Sequence, residues 1–143
     1  MEPLILPGKV DNLGEIREYI KSAAAVADLE KNASYKLCLA VDEIATNIIT
    51  HGYDEPGLSG DIRIQAEIDE ESLTVYIEDT GKHYDPTDPD ILEAETLTTQ
   101  KSLEERSIGR LGIFLIYESV DKFIYEKLNP GNRNILVMNR TIK

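Results

Sequence analysis

Three polar side chains recur every four residues in the segment DEIATNIITHGY, residues 42–53. Glu43, Asn47 and His51 form this polar row, since helical residues four apart share a face. A carboxylate such as Glu43 can take a proton from a hydroxyl that attacks a phosphate. The amide oxygen of Asn47 is a neutral hard ligand suited to Mg²⁺, which takes few protein ligands. A solvated helix edge that ends in a structural histidine, His51, would show the same spacing.

A second set of candidate residues lies in EDTGKHYDP, residues 78–86. Asp79 stands at the end of a predicted strand, and Gly81 allows the backbone to approach a ligand closely. A carboxylate in this place can accept a hydrogen bond from an exocyclic amine such as that of adenine. A plain turn after a strand is the alternative interpretation.

A third set lies in SIGRLGIFLI, residues 107–116, where Gly109 and Gly112 stand at the start of a predicted helix. Helix N-termini present unpaired N–H groups and the positive end of the helix dipole, which favour phosphate oxygens. Lys101, Arg106 and Arg110 cluster nearby, although the chain as a whole is acidic. These cations could offset phosphate charge, or they could be solvated side chains at an ordinary junction of loop and helix.

The elements that must position these residues follow from the hydrophobic periodicity. EPLILPG predicts a first strand, and a period of three to four predicts one helix over 11–29 and a second that ends at Gly52. Alternation predicts a hairpin whose inward residues are Ile62, Ile64, Ala66, Ile68, Leu73, Val75 and Ile77. A long loop, a helix and two strands follow. We expect an α+β two-layer sandwich, with three helices on one face of a mixed, mostly antiparallel sheet of about five strands.

The composition narrows the function classes. A length of 143 residues suits one domain, 1–143. The net charge of −12 and the isoelectric point near 4.5 argue against binding to nucleic acid or to an anionic membrane. The N-terminal residues lack the pattern of a signal peptide, so we expect a cytoplasmic protein. The single cysteine, Cys38, is expected to pack as a small hydrophobic residue.

The three sets occur together as VDEIATNIITHGY, then DTGKHYDP after a strand, then ERSIGRLGIFLI before ESVDKFIYEKLNPGNRNIL. In this order they resemble the bacterial anti-sigma-factor serine kinases of the Bergerat-fold (GHKL) ATPase superfamily. The likeness covers nearly the whole chain. It implies the Bergerat ATP-binding fold, with ATP and Mg²⁺ as cofactors and an ATP lid at about residues 82–108.

The resemblance also implies a role for each site residue. By motif, Glu43 corresponds to the catalytic base, Asn47 to the Mg²⁺ ligand and Asp79 to the carboxylate that reads adenine, with Gly81 as its neighbour. Gly109 and Gly112 correspond to the phosphate-binding turn. Arg110 stands where many relatives have a second glycine, and it could contact a phosphate or narrow the turn.

The implied function is that of an ATP-dependent serine protein kinase acting as an anti-sigma factor in transcription regulation. Its partners would be a small antagonist protein phosphorylated on serine, a sigma factor or other regulator, and a second copy of the chain in a homodimer. A nucleotide-gated module that sequesters a partner without useful catalysis is the main alternative. A detached histidine-kinase ATP domain is less expected. That role needs a dimerising helical hairpin with a phosphoacceptor histidine, and neither His51 nor His83 lies on a predicted hairpin of this kind. An α+β fold that binds no nucleotide is the fourth possibility.

Overall fold

A five-stranded antiparallel sheet forms one layer of the protein in the computed structural model, which describes residues 1–88 and 116–140. The strands are β1 (Leu4–Pro7), β2 (Asp61–Ile68), β3 (Ser72–Asp79), β4 (Lys122–Lys127) and β5 (Asn132–Asn139). They lie in the order β1-β2-β3-β5-β4. The predicted α+β class is confirmed. The sheet is not mixed, however, because every pairing between the described strands is antiparallel.

Two long helices, α1 (Leu13–Val26) and α2 (Lys31–Asn47), form the second layer. Residues 116–119 are also helical, and the rest of the helix predicted near Gly109 and Gly112 lies outside the described residues. Within the described part of the chain, no helix is long and apolar enough to cross a membrane.

The helical path of α2 does not end at Gly52, as the sequence predicted, but continues as a π-helix over Ile48–Asp54. The wider turn is visible in two hydrogen bonds: the Glu55 N–H donates to the Thr50 carbonyl at 2.9 Å, and the Leu58 N–H donates to the Tyr53 carbonyl at 2.8 Å. Each bond spans five residues, which is the π-helix pattern, and short π-helical segments are frequent at functional sites.

The core fills the space between the helices and the inner face of the sheet. The inward residues of the hairpin are those that the alternation predicted, and all of them are buried except Ile68, which is half-buried. They pack in one cluster with apolar side chains of the helices, including Ile16, Ile20, Leu37 and Ile44. This packing fixes the register of the sheet, since a slip by one residue would expose the whole inner set.

Tyr53 joins the π-helix to the sheet. Its side chain is 1% exposed and its ring packs against Gly8 and Gly60. The hydroxyl donates to the Asp61 carbonyl at 2.7 Å and accepts from the Thr80 N–H at 3.0 Å. The π-helix is therefore held at the start of β2 and the end of β3, and the end of β3 carries the second set of candidate residues.

Candidate functional site

Asp79 is the last residue of β3 and occupies a core position. The inner face of β3 reads Leu73, Val75, Ile77 and Asp79, so a carboxylate takes the place of the next apolar side chain. It is 3% exposed. Burial raises the pKa of Asp79 above its ordinary value, and hydrogen bonds from Asn132 and the Gly81 N–H oppose that effect.

The two oxygens of this carboxylate differ in their hydrogen bonding. Oδ1 accepts from the Gly81 N–H at 2.8 Å and from Asn132 Nδ2 at 2.9 Å. Oδ2 is buried and accepts no hydrogen bond from any described residue. A buried polar atom without a partner is costly, so Oδ2 is a favourable acceptor for a ligand that brings an N–H donor. An exocyclic amine, which the sequence suggested, meets this requirement.

Close contacts between backbones hold Asp79 in place. The Lys82 N–H donates to the Gly52 carbonyl at 2.9 Å, and a Cβ at Gly81 would lie 2.6 Å from that carbonyl oxygen. On the other side, Gly131 has a φ of +96°, and a Cβ there would lie 1.8 Å from the Asp79 carbonyl oxygen. Only glycine fits these two positions. The π-helix and the turn before β5 thus close around the end of β3.

Asn132, the first residue of β5, is a site residue that the sequence analysis missed. It is 2% exposed. Its Nδ2 donates to Asp79 Oδ1 and, at 3.0 Å, to the Lys82 carbonyl, while its Oδ1 accepts from the Tyr84 N–H at 3.0 Å and from the Tyr125 hydroxyl. Burial raises the pKa of Tyr125 to about 12, which keeps that hydroxyl a donor. Asn132 therefore orients the carboxylate of Asp79.

One signal for Asn132 was present in the sequence. The inner positions of β5 are Asn132, Asn134, Leu136 and Met138, so two amides stand where alternation predicts buried side chains. A buried amide needs hydrogen-bond partners, and its presence in a strand therefore indicates a polar site nearby.

The polar row lies along α2 and the π-helix, and all three of its side chains are half-buried. Glu43 and Asn47 are in the last two turns of α2, whereas His51 lies in the wider turns that follow. His51 Nδ1 is 2.8 Å from Glu55 Oε1, and the imidazole stacks on Tyr84 with ring centroids 4.4 Å apart. These contacts agree with the structural role expected of His51.

The structure brings some predicted residues together and leaves others undescribed. Asp79 and Gly81 are hydrogen-bonded to each other and packed against the π-helix that continues from Asn47. The residues that lie outside the described parts of the chain are Lys101, Arg106, Gly109, Arg110 and Gly112, together with most of the predicted lid. Among the described side chains, no three from His, Cys, Asp or Glu form a group that could hold a metal ion.

Comparisons with known proteins find relatives over most of the chain. Residues 6–140 match the histidine kinase-like ATPase domain family. The serine-protein kinase RsbW of Bacillus licheniformis is 24% identical over 125 residues, which are 87% of this chain and 76% of that protein. The serine-protein kinase RsbW of Halalkalibacterium halodurans is 25% identical over 119 residues, which are 83% of this chain and 71% of that protein.

A solved structure has the same fold. The histidine kinase domain of the Erythrobacter litoralis EL346 blue-light activated histidine kinase superposes with a TM-score of 0.54 at 16% identity. The alignment covers 91% of this chain and 60% of that one. The family match confirms the resemblance that the three motifs predicted, and the chain belongs to the histidine kinase-like ATPase domain family.

Proposed function

We propose that this protein binds ATP and transfers its γ-phosphate to a serine of a small regulatory protein. The observation that carries the proposal is the buried Oδ2 of Asp79, which accepts no hydrogen bond from residues 1–88 or 116–140 and fits the exocyclic amine of adenine. Membership of the ATPase domain family and the similarity to two proteins named serine-protein kinases give further support.

At the adenine end of the site, Asp79 is the residue that reads the base. Its Oδ1 is held by the Gly81 N–H and by Asn132, so its Oδ2 is directed before the ligand arrives. An acceptor that is already oriented loses less conformational entropy on binding than a mobile one, and this increases affinity. A base with a carbonyl oxygen in place of the amine would put two acceptors together and would bind weakly.

At the phosphate end, Glu43 is proposed as the base that takes the proton of the substrate serine. Asn47 is proposed as the residue that would hold Mg²⁺, an ion that takes few protein ligands. The ion would supply charge neutralisation at the phosphates. Gly109, Arg110 and Gly112 are proposed as the turn that binds the phosphates, and residues 82–108 as the lid. Positioning and electrostatic stabilisation supply most of the acceleration in phosphoryl transfer, so few protein groups suffice.

The proposed setting is regulatory. The substrate would be an antagonist of an anti-sigma factor, and the second partner would be a sigma factor or another regulator of transcription. We expect residues 1–143 to act as one domain in a cytoplasmic homodimer. The net charge of −12 favours partners with basic surface patches.

The proposal is tested by γ-phosphate transfer from labelled ATP to candidate antagonist proteins encoded beside the gene. We expect transfer by the wild type and a loss of about 100-fold or more in Glu43→Gln, because general-base catalysis contributes about 10²–10⁴-fold. Glu18→Gln, which changes an exposed glutamate on α1, is the matched control and should transfer like the wild type. Equal rates in Glu43→Gln and the wild type would contradict the assignment of the base.

The nucleotide-gated binding module remains the second candidate, and one observation favours it. Asn132 bonds to Asp79 and also to the backbone of Lys82 and Tyr84, where the proposed lid begins. Nucleotide bound at Asp79 is therefore coupled through Asn132 to the backbone of Lys82 and Tyr84. Capture of a partner that depends on ATP or ADP, without phosphate transfer in the same samples, would favour this module over the kinase.

A further inference from the structure

The two inward-facing asparagines of β5 differ in their hydrogen bonding. Asn132 makes four hydrogen bonds through its side chain, which is the number that both ends of its amide can readily accommodate. Asn134 is equally buried, at 2% exposed, yet its Oδ1 has no partner among residues 1–88 and 116–140. Asp79 Oδ2 and Asn134 Oδ1 are the two buried side-chain atoms without a partner in that part of the chain.

These two unpartnered oxygens belong to the same corner of the sheet. Asn134 is opposite Ile77 on β3, and Asp79 is opposite Asn132. Side chains that face each other across paired strands point to the same side, and diagonal neighbours lie about 7–8 Å apart. Asn134 and Asp79 are such diagonal neighbours, and both face the helices. The two acceptors of one amino group lie about 5 Å apart when each bond is about 2.9 Å long, and side chains on diagonal positions can span such a separation.

The space beside Asp79 and Asn134 favours a polar ligand. Buried polar groups in folded proteins nearly always have a partner. Two acceptors on diagonal positions of one sheet face, neither bonded by a described residue, therefore favour a ligand that brings a donor. A valine or leucine at position 134 would fill the same space without this cost. Both oxygens are acceptors, which matches the two hydrogens of an amino group.

We infer that Asn134 contacts the base and determines specificity in the nucleotide pocket. Its Oδ1 accepts one hydrogen of the exocyclic amine of adenine, while Asp79 Oδ2 accepts the other. This inference rests on the proposed nucleotide binding and deepens it, because it adds a second side chain that distinguishes an aminopurine from a purine that lacks the amine.

The test measures the affinity of the full chain for ADP and for purine riboside 5′-diphosphate, which lacks the amine, by calorimetry with Mg²⁺. We expect the wild type to prefer ADP and Asn134→Val to lose about tenfold of that preference. A site that bonds an amine rejects a base without one because its buried acceptors then remain unpaired. Binding of purine riboside diphosphate should change less than twofold. The free Asn134→Val protein should melt at a higher temperature than the wild type, because an unpartnered buried oxygen has been removed.

Asn139→Ala is the matched control, since Asn139 is the exposed last residue of β5, and it should leave both affinities unchanged. Asn134→Ser is the second variant, in case valine does not fold, and it should also lose part of the preference. Unchanged preference for ADP in both folded variants would overturn the inference. If the wild type binds no adenine nucleotide at millimolar concentration, the proposed function itself fails, and the wild-type titration alone reveals this.

Discussion

The two ends of strand β3 carry aspartates in opposite environments. Asp69, in the turn before β3, is exposed, and its Oδ1 accepts from the N–H groups of Ser72 and Glu71, each at 2.8 Å. These bonds lower the pKa of Asp69, that from Ser72 having the larger effect. Asp79, at the other end, is buried, one of its oxygens has no partner in the part of the chain that the structure describes, and burial raises its pKa.

The difference shows that the environment of a carboxylate, and not its residue type, separates a turn from a binding site. The side chain of Asp69 closes a hairpin and has its hydrogen bonds supplied by its own turn. Asp79 is buried, and its Oδ2 accepts no hydrogen bond from the described residues, which is typical of a group that binds a ligand. Substitutions at the two ends should therefore have different consequences.

The largest expected effect is on stability at the site end of β3. Gly131→Ala should lower the free energy of unfolding by about 3 kcal/mol or more, because alanine is strained at positive φ and its Cβ would overlap the Asp79 carbonyl oxygen. Urea denaturation followed by circular dichroism measures the change. Gly14→Ala is the control: a Cβ at Gly14 meets no neighbour within 4 Å, and alanine is the better helix former. If Gly131→Ala were as stable as Gly14→Ala, the turn before β5 would not approach the end of β3 as closely as described.

The next effect is on nucleotide affinity. Asp79→Asn should keep the bonds from Gly81 and Asn132 but place an amide donor where the adenine amine must bond. We expect ADP affinity to fall about 10- to 100-fold, given about 1.5–3 kcal/mol for a hydrogen bond to a charged group. Asp69→Asn should bind ADP like the wild type. Calorimetric titration of both variants measures this, and equal losses at both ends of β3 would contradict a binding role specific to Asp79.

The smallest effect is a pH dependence of opposite sign at the two ends. The pKa of folded Asp79 is raised, so the native state holds its proton longer than the unfolded state does, and stability falls as pH rises from about 4 through the raised pKa. Asp69 has a lowered pKa, so its contribution is present above about pH 4 and is lost as pH falls through that lowered pKa.

The two asparagine variants should therefore diverge from the wild type in different ways when thermal unfolding is followed from pH 2.5 to 7 without nucleotide. Asp79→Asn should gain stability relative to the wild type as pH rises, because it no longer buries a charge. Asp69→Asn should lose stability relative to the wild type over the same range. Parallel profiles for the two variants would show that the carboxylates share one environment.

Features with strong local periodicity could be predicted from the sequence. The alternation in β2 and β3 predicted which side chains are buried. Continued by one step beyond Ile77, it places Asp79 on the inner face. The family followed from three motifs in order. These features depend on residues that are near each other in the chain.

Features that depend on distant contacts could not be predicted. The π-helix was missed because Gly52 suggests a helix end, whereas the carbonyl of Gly52 bonds to Lys82 and its backbone packs against Gly81. Asn132 was missed because its bond to Asp79 joins residues 53 positions apart. A sequence shows that an asparagine falls on an inner face, but not whether its hydrogen bonds are satisfied.

The central claim is that Asp79 Oδ2 accepts a hydrogen bond from the base of a bound nucleotide. Carboxyl carbon chemical shifts of labelled protein, followed against pH with and without saturating ADP, test it directly. We predict that the pKa of Asp79 is raised in the free protein and falls when ADP binds, because a donor favours the charged form, while the pKa of Asp69 stays the same. An Asp79 pKa that does not respond to bound ADP would contradict the claim.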